Sequence, residues 1–163
     1  MRINPIEELA ESWRRELPDL DVGPMVTVAH LNRLALLINR RIEEALASHG
    51  SSLADFDVLS ALRREGSPYR LKPSELSRRV MLSPSGMTHR VDLLEAAGLV
   101  ERHLDPTNRR SMPVALTVEG VQLAQTLVRV VVEVETEILR GLTPGQRSSL
   151  DIATRSVIDD LTS

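Results

Sequence analysis

Residues 81–110 read MLSPSGMTHRVDLLEAAGLVERHLDPTNRR, and this run limits the possible folds more than any other part of the chain. Ser83-Pro84 is a helix start, because a serine hydroxyl can accept from the first free amides and proline carries its φ already set for the first helical position. Met87, Val91 and Leu94 then recur at helical spacing and form one inward seam. Gly98 stops that helix. Residues 99–104 and 111–117 predict two strands around a tip at 105–110, where Asp105, Pro106 and Asn108 favour a turn and Arg109 and Arg110 end it. Pro73–Val80 is a further short helix just upstream, again with proline at its start.

The flanks are helical. Residues 6–17 place Ile6, Leu9, Ala10, Trp13 and Leu17 on one side of a short helix, and PDLDVGP at 18–24 is a linker. Residues 25–48 form a long helix whose apolar positions run almost all the way round, which demands cover on more than one side and points to a second subunit. Ser52 and Asp55 have capping-box spacing for a helix running to about Glu65, with Leu53, Phe56, Leu59 and Leu62 as its core stripe. At 118–140 the piece VRVVVEV has strand propensity, but the flanks keep the helical period and helix is preferred. Thr143-Pro144-Gly145-Gln146 starts a last helix reaching about Leu161.

Composition excludes several classes. The chain has no Cys, so there is no disulfide framework and no thiolate metal site. No apolar run is long enough to span a bilayer, and residues 1–17 lack the apolar core of a signal peptide, so a cytoplasmic setting without membrane contact is expected. His30, His49, His89 and His103 lack metal-ligand spacing. No phosphate-cradling glycine loop is present and no serine has a paired base, so neither a cofactor nor an enzyme is expected. Net charge is −3, yet residues 70–110 hold eight basic residues against five acidic ones, a local +3 in a body that otherwise carries −6. Such a segment draws phosphate to one face and repels it elsewhere.

Two short helices joined by a tight turn, followed by an arginine-tipped hairpin, can read duplex DNA: the second helix enters the major groove and the wing reaches the neighbouring backbone or minor groove. The seam leaves Ser85, Gly86, Thr88 and His89 outward at the start of that helix. Ser83, Ser85, Thr88 and His89 are the major-groove candidates, Arg90 is a further donor, and Arg109 and Arg110 are the wing contacts. Taken alone, an Arg-Arg tip is equally a solvated turn, and a winged helix can serve as a protein-interaction module without specific DNA binding.

LADFDVLSALRR at 53–64, residues 76–80 and 83–95, GLVER at 98–102, DPTNRR at 105–110 and VALTVEG at 114–120 together closely resemble the MarR family of winged-helix transcription regulators. The resemblance implies a mostly α fold with a small β-wing: one domain over 1–163, a winged helix-turn-helix at 52–117, and dimerisation helices in 1–48 and 118–163. It implies a homodimer on a pseudo-palindromic operator, acting as a repressor and released by a small anionic or phenolic ligand. One departure is Asn108, which stands where the family's wing motif usually has an acid; asparagine keeps the turn but offers no carboxylate to a wing arginine.

The N-terminal helix with Trp13 is also similar to the family's urate-responsive subgroup. That likeness implies a ligand site of Trp13, Asp57, Arg90 and Arg102 for a flat anion that stacks on indole and pairs with guanidinium. In that scheme Asp57 holds Arg90 or Arg102 until the anion competes. A packing role for Trp13 and structural ion pairs for the others stand beside it.

Overall fold

The computed structural model describes residues 5–80, 84–104 and 112–163. Among them the elements run α1 (Pro5–Glu16), α2 (Gly23–Ala47), α3 (Leu53–Arg64), β1 (Arg70–Leu71), α4 (Pro73–Val80), α5 (Pro84–Ala96), β2 (Val100–Arg102), β3 (Val114–Leu116), α6 (Val118–Leu139) and α7 (Pro144–Thr162). The fold is mostly α with a small β-wing. The chain divides into two compact units, one ending at Arg41 and the other running Ile42–Ser163.

In the first unit, α1 has acids in its first turn and arginines in its last, which suits the helix dipole. The Asp21 carboxylate accepts the Gly23 amide at 2.9 Å where α2 begins. Ala10 and Val22 are buried, but Leu9 and Trp13 on α1, Leu17 just after it, and Val28, Leu31, Leu34 and Leu37 on α2 are exposed.

The second unit is built on α3. The Ser52 hydroxyl accepts the Asp55 amide and the Asp55 carboxylate accepts the Ser52 amide, a complete capping box. The buried set on α3 is Val58, Leu59, Ala61 and Leu62, whereas Leu53 and Phe56 of the expected stripe are only half-buried. The reason is cover on several sides: α3 packs against α4, α5, α6 and β3, so its buried arc is wider than one stripe and centres on its C-terminal half. The sheet order is β1-β3-β2, with Val100 opposite Leu116, Arg102 opposite Val114, and Leu71 opposite Val114 on the other edge. The two wing strands are shorter than their predicted spans, and β1 was not anticipated.

The VRVVVEV piece is helical within α6, where Ala124, Leu127 and Val131 are buried. Thr143 and Gln146 form the expected capping box on α7, yet no residue of α7 is buried. Leu150, Ile152, Val157, Ile158 and Leu161 are all exposed. A helix this apolar is stabilised mainly by packing, so the chain alone leaves it incomplete.

Candidate nucleic-acid interface

The reading head is assembled by α4 and α5, which pack on each other and on α3. Met87, Val91 and Leu94 are each 3% exposed or less, so the inward seam is as the spacing predicts. Ser85, Thr88 and His89 are exposed on the opposite side of α5 and Gly86 is half-buried. Small polar residues there let the helix approach a groove closely, and its N-terminal amides favour a phosphate.

The C-terminal end of α5 is tied into the wing and into α6. The Leu99 amide donates to Leu94 O at 2.9 Å and the Gly98 amide to Glu95 O at 2.9 Å, a cap that needs the left-handed φ of +70° at Gly98. Thr117, the N-cap of α6, donates its hydroxyl to Gly98 O at 2.7 Å and its amide to Leu99 O at 3.1 Å. Gly120, one turn into α6, packs so closely that a Cβ there would stand 1.9 Å from Leu99 O.

Arg102, on β2, clamps the wing to α5. Its guanidinium pairs with both Asp92 and Glu95, and its amide donates to Glu95 Oε1 at 3.3 Å. Burial by itself would lower the Arg102 pKa, but the hydrogen bonds and charges of Asp92 and Glu95 outweigh it and hold the guanidinium above its ordinary value. Arg90 turns away from the outer face of α5 and donates to Asp55 Oδ1 at 3.0 Å. Arg78 and Arg79 lie in the last turn of α4, with Arg79 paired to Glu65.

The sequence profile of the MarR family matches residues 49–111, the span that carries this head. The transcriptional regulator PecS of Dickeya dadantii is 37% identical over 145 residues, which is 89% of this chain and 87% of PecS. The chain belongs to the MarR family. A Mycobacterium bovis relative, the HTH-type transcriptional repressor Mb2911, is 30% identical over 72% of this chain and 82% of its own length. The MarR-family regulator Sco3205 of Streptomyces coelicolor, solved in complex with DNA, superposes with a TM-score of 0.77 at 23% identity, covering 88% of this chain and 91% of that one; this likeness concerns the fold. Membership of the MarR family makes the protein a DNA-binding transcription regulator and not an enzyme.

Within this MarR fold the predicted residues fall into three groups. Ser85, Thr88 and His89 share the outer face of α5. Ser83, Arg109 and Arg110 lie outside the described residues. Of the implied ligand set, Trp13 belongs to the first unit and Asp57, Arg90 and Arg102 to the second.

The expected tie from Asp57 to Arg90 or Arg102 is not the one that forms: Arg90 pairs with Asp55, and Arg102 with Asp92 and Glu95. Asp57 is half-buried near the middle of α3, and among the described residues its carboxylate makes no ion pair. Burial raises its pKa, and the charge of Arg64 opposes that shift. A carboxyl whose pKa rises on folding costs stability when ionised, and the cost is relieved as pH falls through the raised value toward that of an unfolded aspartate. Asp57→Asn is therefore expected to stabilise the protein at neutral pH, with the gain shrinking to nothing in acid; paired thermal melts across pH check it. Among the described residues no cluster of His, Asp or Glu could hold a metal, and no helix is long and apolar enough to cross a membrane.

Proposed function

We propose that the protein is a repressor that occupies a pseudo-palindromic operator as a homodimer. The observation that carries this reading is the outer face of α5, where Ser85, Thr88 and His89 stand exposed beyond a fully buried seam. The uncovered apolar residues of α7 and α2 supply the surface for a second copy, in keeping with dimerisation helices at 1–48 and 118–163. The mycobacterial relative's name as a repressor and the DNA complex of the Streptomyces relative favour the same reading. A gel shift with duplex DNA flanking the protein's own gene, against random duplex of equal length, tests it. A clear preference for the flanking DNA is expected, and equal binding of both leaves only the interaction-module reading.

A small anionic aromatic ligand, urate-like in shape and charge, is proposed to release the complex, with Arg90 and Arg102 as cation partners. Support comes from chemistry: both arginines are already held by carboxylates that an anion can replace. A ligand that prefers the non-binding state shifts the population in proportion to that preference. Urate titrated into the protein–DNA complex is expected to free DNA from the wild type and to leave the Arg102→Ala complex intact. Equal release from both would remove Arg102 from the site.

A further inference from the structure

Asp55 divides its two carboxylate oxygens between two helices. Oδ2 accepts the Ser52 amide at 2.9 Å and the Ser52 hydroxyl at 2.6 Å, closing the cap of α3. Oδ1 accepts Arg90 from α5 at 3.0 Å. The two side chains are only 17% and 25% exposed, so the pair is shielded far better than a surface ion pair. It borders a cleft of about 220 Å³ whose walls also include Ser51, Leu94, Leu99 and Leu123.

Apart from this tie, α5 is held by the seam Met87, Val91 and Leu94 and, toward its C-terminal end, by Arg102 through Asp92 and Glu95, so Arg90 is the side-chain tie nearer its exposed first turns. Contact along a line resists sliding better than rolling. Successive residues of a helix differ by roughly 100° around its axis, so even a modest roll changes which side chains face outward. Arg90 lies off that line and reaches sideways to the start of α3, which its cap and its packing on α6 make a fixed point.

We infer that Asp55 is a positioning residue for DNA reading: it makes the capped end of α3 a post to which Arg90 ties α5, and so sets which face of α5 meets the bases. This rests on the DNA-binding reading above. In this role Arg90 acts through Asp55 and touches no DNA.

Asp55→Asn separates the two duties, because an asparagine carbonyl still accepts from Ser52 while the charge facing Arg90 is gone. In fluorescence titrations the variant is expected to lose about tenfold of its preference for the flanking-gene duplex over random duplex, the loss typical of one charged hydrogen bond. Affinity for random duplex and its salt dependence should stay as in the wild type. Arg90→Gln, which leaves the cap untouched, should lose the same preference, and the double variant should lose no more than either alone. In the DNA-free protein, amide exchange should quicken along α5 and stay unchanged in α3.

Three results overturn the inference. They are unchanged exchange along α5, additive losses in the double variant, or tighter random-duplex binding with a steeper salt slope, which would make the freed Arg90 a phosphate contact. A wild type without any duplex preference defeats the DNA reading instead, and the exchange comparison alone then decides the role of Asp55.

Discussion

Gly120→Ala is expected to lower the melting temperature by roughly 6–12 °C, the shift that a loss of about 3 kcal/mol produces in a chain of this size. The sign is the telling part. An alanine normally stabilises a helix by up to about 1 kcal/mol relative to glycine. Here the added Cβ would lie 1.9 Å from Leu99 O and 2.9 Å from Leu99 C, and both are backbone atoms that cannot swing aside. Leu99 is moreover held by the cap of α5 on one side and by Thr117 on the other, so relief at Gly120 would have to separate α6 from the wing. Gly145→Ala, in the first turn of α7, is the control, since nothing lies within 4 Å of its Cβ position; it should melt at or slightly above the wild type. Thermal unfolding of the two variants side by side checks both expectations.

The double variant Arg109→Ala/Arg110→Ala is expected to weaken binding to the flanking-gene duplex and to random duplex by a similar factor, roughly tenfold for each arginine removed if each makes one charged hydrogen bond. Wing-tip cations that neutralise phosphates carry little sequence information, so the preference for one duplex over the other should survive. The slope of log affinity against log salt should flatten by about 0.9 for each phosphate that is no longer neutralised. Affinity measured at several salt concentrations tests this, and an unchanged slope would mean that the wing tip never reaches the backbone. The pattern is the reverse of that expected for Asp55→Asn, which should alter the preference and spare the slope.

Much of the architecture was legible because it rests on local chemistry. The Ser52–Asp55 and Thr143–Gln146 boxes are spacings of three residues, visible in any short window, and both form. The Met87, Val91 and Leu94 seam is periodic and buried as expected. The β-branched run inside α6 yields to its flanks, since the Ala124, Leu127 and Val131 face needs a helix to meet α3. By contrast, β1 is two residues long and shows no alternation; it exists because Leu71 finds Val114 across the sheet.

The candidate site was harder. The partner of Arg90 lies 35 residues away, and the capping role of Asp55 already accounted for that side chain, which hid its second oxygen. Asp57 sits two positions further on and was the residue the family likeness offered. Asp92 and Glu95 were also overlooked as partners of Arg102, although their spacing of three places them on one face of α5, above the strand that follows Gly98. Which side chains meet across elements depends on packing angles, and these are set by the whole unit and not by any short window.

A hydroxyl-radical footprint of the protein on the DNA flanking its own gene, taken with the number of protomers bound, tests the central claim most directly. Two protected half-sites on one face of the duplex, centred about one helical turn or ~34 Å apart and occupied by two protomers, is the predicted result. A single protected stretch held by one protomer would contradict it.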